Sequence, residues 1–170
     1  MADFPLYTAS VPVFRRYLGR LAEWVARAEV HEGGGLLTAR LTPDMLPFER
    51  QAAIAAHFTL RAAYPLAGLP VPPFGDAPAT WAGLRERLAR VVALLDALTP
   101  PQFDGAAERI ITSDAGEATL QLDGATFLHQ FALPNFVFHL AAAYAILRQQ
   151  GVPLGKADFD GYHRYDAVAA

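Results

Sequence analysis

The chain has 170 residues, enough for one domain with a sizeable core, and is 53% hydrophobic and 18% charged, a balance that excludes a disordered segment. Its formal net charge of −3 conceals no basic block or stripe, which argues against nucleic acid and against an anionic membrane surface as partners. With no cysteine, a disulfide scaffold, a thiolate metal site and a cysteine nucleophile are all excluded, and the composition is compatible with a reducing, cytoplasmic setting.

The opening MADFPLYTAS lacks the basic stretch and apolar run of a secretory signal. A first helix is predicted from about Thr8 to Glu29, because Val11, Phe14, Leu18, Leu21, Val25 and Ala28 recur at spacings of three and four. Ser10 and Pro12 stand where a cap and an early proline are tolerated. HEGGGLLTARLTPDMLP then breaks the period: Gly33, Gly34 and Gly35 end the helix, and Pro43 and Pro47 resist another. The leucines of this long connection imply that it packs on the bundle.

A second helix is predicted from about Phe48 to Ala67, thin and alanine-rich, and stopped by Gly68-Leu69-Pro70. A third, from about Thr80 to Leu98, repeats the apolar stripe of the first, with Arg85, Glu86, Arg87 and Arg90 as its solvated face. Arg109 to Thr112 and Ala118 to Leu122 alternate about Asp114-Ala115-Gly116 and read as a β-hairpin. Two strands alone are marginal, so the hairpin is expected to lie on the helices.

A fourth helix is predicted from about Ala125 to Gln150, kinked or opened at Pro134. Phe127 to Leu147 is apolar enough to be mistaken for a membrane span, but His129, Gln130, Asn135 and His139 would be costly there. A central helix buried on most sides explains the pattern at less cost. The tail from Gly151 reads as loop. These elements make an all-α four-helix bundle, a single domain over residues 1–170, with a small hairpin before the last helix.

Asn135 and His139 are the polar residues of the stretch LPNFVFHLAAAYAIL. They are four apart, on the stripe that carries Leu128, Ala132, Ala142 and Ile146, so both are expected to face the interior. Each has a structural alternative: His139 as a hydrogen-bonded core histidine, Asn135 as a donor to the backbone carbonyl that Pro134 leaves free. His57, on or beside the buried face of the second helix, is a candidate partner for His139 in a metal site, since imidazole suits zinc, nickel or iron. Asp44, in the preceding loop, would supply a carboxylate if that loop folds over the bundle end. His57 has the alternative of a half-exposed surface position. No Walker or dinucleotide fingerprint, nucleophile elbow, Ser-His-Asp triad or glycosidase carboxylate pair is present.

LLTARLTPDMLP, GLPVPPF and FALPNFVFHLAAAYAILRQQGVPLGKADF together resemble a bacterial family of unknown function within the DinB/YfiT-like four-helix superfamily. The likeness runs from LYTASVPVF onward and implies a bundle with a long crossover, often a homodimer. In better-understood members a histidine on the second helix and an HxxxH pair on the fourth hold a divalent metal, and several are thiol-dependent transferases. Here the pair reads Asn135-xxx-His139, so His139 matches its second member and the first is missing. Two expectations follow. One is a degenerate metal-dependent bundle with His57, His139 and Asp44 as ligands to a weakly bound zinc, nickel or iron, or with His139 as a base oriented by Asn135. The other is a non-catalytic homodimeric bundle, or a small-molecule-binding one, whose buried His and Asn are structural.

Overall fold

The computed structural model describes residues 5–31, 35–75 and 79–163. Gly33 and Gly34, expected to end the first helix, lie outside them. Four long helices form the frame: α1 (Val11–Val30), α2 (Phe48–Leu66), α3 (Trp81–Asp96) and α4 (Gly124–Gln149). A two-stranded antiparallel hairpin, β1 (Ile110–Ala115) and β2 (Ala118–Asp123), precedes α4. One hydrophobic cluster runs through all four helices and takes in Ile111 of the hairpin.

The expected stripe of α1 is buried, with Trp24 added to it. Ser10 does not cap this helix. Its Oγ donates backwards to the Leu6 carbonyl, at the end of a separate helical turn, Pro5–Thr8.

The central helix is α2, not α4. Alanines at 52, 53, 55, 56, 62 and 63 leave so little bulk that neighbours close on it from nearly every side, and most of its residues are buried. Gln51 and Thr59 are buried polar residues within it. By contrast α4 buries one face and leaves Pro134, Val137, Phe138 and Ala141 exposed. By length and composition Gly124–Gln149 would suffice to cross a membrane, yet its buried side contributes Phe136, Leu140, Ala143, Ile146 and Leu147 to the core.

The expected disturbance at Pro134 is a widened turn. Residues Phe127–Ala132 form π-helix, and the Leu133 N–H reaches back five residues to the Leu128 carbonyl. A proline ring clashes with the carbonyl four residues earlier and has no N–H to offer it. Opening the preceding turn by one residue answers both problems without breaking the helix.

Two segments expected to be irregular or merely solvated are tied down. Arg87 and Arg90 of α3 donate to the Gly75 and Pro73 carbonyls, at 3.1 and 3.0 Å, and hold the connection after α2. The tail forms a short helix, Lys156–Asp160, whose Phe159 stacks on Trp24, with ring centroids 5.4 Å apart. The Trp24 indole N–H also donates to the Asp158 carbonyl at 2.9 Å, so the tail closes over α1.

Candidate functional site

His139 is half-buried on α4. Its Nδ1 lies 2.7 Å from Oε1 of Gln51 on α2. The Gln51 amide is oriented by its own Nε2, which donates to the Leu46 carbonyl at 3.3 Å. An amide oxygen only accepts, so Nδ1 carries the proton and Nε2 holds the lone pair. Nε2 has no hydrogen-bond partner among the described residues and keeps contact with solvent. Phe58 stacks on the ring at 5.9 Å and Phe138 meets it edge-on at 5.1 Å. Burial by these neighbours pushes the imidazole pKa below its usual range, so the ring is neutral at neutral pH.

Asn135 does not orient His139. Its side-chain N–H donates at 2.8 Å to the Phe131 carbonyl, four residues back and inside the π turn. The structural alternative for Asn135 is therefore close to what is found, displaced by one residue. The carbonyl that Pro134 would orphan is that of Gln130, and the amide serves the next one along.

His57 occupies a different face of α2 from Gln51 and Phe58. Seven residues separate Gln51 from Phe58, so those two lie nearly above one another, while His57 is rotated by roughly a quarter turn or more. Its ring stacks on Phe74 of the loop after α2, with centroids 4.5 Å apart. Burial, then the charges of Arg61 and Arg87, depress its pKa. Asp44 is exposed, and its carboxylate accepts from the Thr42 hydroxyl, which chiefly lowers its pKa.

These residues do not fit a divalent metal. Asn135 is committed to a backbone carbonyl, Asp44 to its own loop, and His57 faces α3 and Phe74 rather than the His139 ring. Among the described residues, no group of three or more His, Asp or Glu side chains converges as a metal would require. His57 and His139 each keep an imidazole nitrogen without a hydrogen-bond partner among the described residues, but their rings lie against different faces of α2, and no third ligand joins either.

Two sets of residues at the site have only weak sequence signatures. Gln51 lies in an alanine run, and only its place one helical repeat before Phe58 hints that it shares the α4-facing side. Arg50 and Arg87 line a cleft beside His57, together with Arg61 nearby. The spacing of Arg50, Ile54, His57 and Arg61 along one strip of α2 was the available clue.

The four-helix frame, the crossover before α2 and the hairpin ahead of α4 define an all-α DinB-like bundle. The chain resembles the crystal structure of a DinB family member protein from Shewanella denitrificans, with 32% identity over 95% of each chain and a TM-score of 0.84. It belongs to the family described as Domain of unknown function (DUF1993), which matches residues 6–160. No curated protein matches it.

Proposed function

We propose that this protein is a homodimeric DinB-like scaffold without a three-donor metal centre, in which Asn135 and His139 hold α4 in shape and in register with α2. One observation carries the reading: Asn135 and Asp44 are each engaged in a local hydrogen bond, His139 is tied to Gln51, and His57 stacks on Phe74 on another face of α2, so the expected ligands do not converge. The dimer face follows from α4. Pro134, Val137, Phe138 and Ala141 recur at spacings of three and four on its open side, and Val137 and Phe138 are 49% and 57% exposed. Such a strip is self-complementary, so a second copy related by a two-fold axis would cover it with the same residues.

Light scattering on untagged protein at micromolar concentration should return twice the chain mass, and Phe138→Asp should return a monomer with unchanged helix content. Elemental analysis of the same preparation should find no stoichiometric transition metal. A wild-type monomer would sink the dimer, and zinc or nickel retained through a chelator wash would sink the metal-free scaffold.

A second reading has its own observation. With Nδ1–H fixed by Gln51 and Nε2 open, His139 has the tautomer and the depressed pKa of a general base. It would then act on a substrate held beside Phe58 and Phe138, with Gln51 in the orienting role expected of Asn135.

A further inference from the structure

The tail helix Lys156–Asp160 buries none of its own residues, so its hold on α1 comes from one ring and a few polar contacts. Phe159 sits among Trp24, Tyr17 and Tyr144, with ring centroids 5.4, 5.8 and 5.4 Å away. Trp24 is buried beneath it and donates its indole N–H to the Asp158 carbonyl at 2.9 Å. Arg27 pairs with the Asp158 carboxylate at 2.8 Å, and Nη2 of Arg16 donates to the Asp160 carbonyl at 2.7 Å. The run Asp158-Phe159-Asp160 is thus read by an aromatic slot, an indole N–H and two guanidiniums.

One of these contacts is incomplete. Nε of Arg16 is buried and has no hydrogen-bond partner among the described residues. The Nε–H and an Nη2–H form one two-pronged edge of the guanidinium, which matches the two oxygens of a carboxylate. Asp160 offers that edge a single carbonyl oxygen. Its own carboxylate is turned to the N–H groups of Tyr162 and His163. A buried donor left unmet keeps its full desolvation cost, so the tail is an imperfect occupant of this face. Glu23, an acidic neighbour on α1, pairs with Arg20 and not with Arg16.

The next residue shows what would fit better. At Gly161 the chain turns away with φ 74°, and a Cβ there would stand 2.5 Å from Arg20 Nη2 and 3.0 Å from Arg16 Nη2. A chain that stopped at the position of Asp160 would need no such turn. Its terminal carboxylate would bring two oxygens where the Asp160 carbonyl brings one. We propose that this face of α1 is a receptor for a peptide C-terminus whose last three residues are acidic, aromatic and one more, and that the chain's own tail covers it as a stand-in. The ring of such a ligand takes the slot of Phe159. The residue before it supplies the acceptor for Trp24 and the carboxylate for Arg27, and the terminal carboxylate meets Nε and Nη2 of Arg16. The site uses neither His139 nor Gln51 and does not depend on the dimer.

Trp24 reports on the site, because the chain has two tryptophans and Trp81→Phe leaves Trp24 alone. The full chain carrying Trp81→Phe would be titrated with the N-acetylated pentapeptide Lys-Ala-Asp-Phe-Asp as the free acid and as the C-terminal amide. The same titrations would be run after loosening the tail in two separate ways, by Phe159→Ala and by Asp158→Ala. The free acid should change Trp24 emission saturably in the loosened chains. It should bind about tenfold or more weakly when the tail is intact, because a linked competitor acts at high effective concentration. The amide should bind about tenfold or more weakly than the acid, and Arg16→Gln in a loosened chain should abolish that difference. The proposal is overturned if neither loosened chain gives a saturable change, if acid and amide bind alike, if the intact tail makes no difference, or if Arg16→Gln keeps the advantage of the acid.

Discussion

The imidazole of His139 and the amide of Gln51 meet at 2.7 Å between α4 and α2, and Gln51 is 1% exposed. Removing the Gln51 side chain strands the His139 Nδ1–H and the Leu46 carbonyl, and a half-buried ring that loses its acceptor gains water only on its open side. Gln51→Ala is therefore expected to cost about 1–3 kcal/mol, measured by urea unfolding. The cycle of Gln51→Ala with His139→Ala should give a coupling of about 0.5–1.5 kcal/mol. A coupling near zero would mean that the two side chains stabilise the bundle separately and do not set its register.

Asn135 has a narrower task. Its amide donates to the Phe131 carbonyl within the π turn, so Asn135→Ala removes one half-buried hydrogen bond. The expected loss is about 0.5–1.5 kcal/mol. Asn135→His, which restores an HxxxH pair with His139, is the sharper test. If the helix needs the amide, this variant loses stability as Asn135→Ala does, and titration with zinc does not raise its melting temperature. Full recovery on adding zinc would show that α4 is still arranged as a metal-binding helix.

Acid should weaken the fold in a defined window. His57 and His139 both have folded pKa values below the ordinary imidazole value, each chiefly through burial. The unfolded chain, with histidine near about 6.5, therefore binds more protons than the folded chain below that pH. Stability is then fully present above the unfolded value and is lost as the pH falls from there through the folded values. Asp160 does not confuse the window. The His163 and Tyr162 N–H groups hold its pKa at about 2, so its contribution is lost only at much lower pH. Thermal unfolding from about pH 8 to about pH 5 should show a falling melting temperature in the wild type and a flatter profile in His57→Gln/His139→Gln. Equal slopes in the two proteins would remove the histidines as the cause.

The bundle was largely legible in the chain because its signals are local. Val11, Phe14, Leu18 and Leu21 repeat with the helical period whatever surrounds them, and α3 starts where expected, with Thr80 accepting from the Gly83 N–H. The candidate site was legible only in part, because it depends on phase. The α2 helix is alanine-rich on several faces, so only the spacing of Arg50, Ile54, His57 and Arg61 hints at where His57 points, and a rotation of roughly a quarter turn separates a metal ligand from the wall of an arginine-lined cleft. The partner of His139 lies 88 residues away along the chain, and no local pattern reports such a pairing. The order of the tail is invisible locally for the same reason. Phe159 and Asp158 gain their order from Trp24 and Arg27, far upstream.

The junction between hairpin and α4 sets the register of that helix, and Gly124 is the residue that permits it. A Cβ placed there would stand 1.9 Å from the Ala106 carbonyl oxygen and 3.0 Å from a methyl of Leu66. The oxygen is backbone, in a segment pinned by the bond from Ala125 N–H to the Ala107 carbonyl at 3.1 Å, so it cannot swing aside as a flexible side chain would. Asp123 caps the helix just before this contact, accepting from the Thr126 N–H at 2.9 Å. Gly124→Ala must therefore push α4 away from the loop or break the cap. The expected cost is at least about 1–3 kcal/mol, read by thermal unfolding. Because the hairpin end moves with the helix, hydrogen exchange at β2 should quicken along with that of Phe127 and Leu128. Gly116→Ala tests the alternative that any substitution near the hairpin has this effect: Gly116 meets nothing within 4 Å, so its loss comes from its left-handed backbone alone and should leave exchange in α4 untouched. A Gly124→Ala protein as stable as the wild type would mean that the close approach of α4 to Ala106 does not hold the last helix in place.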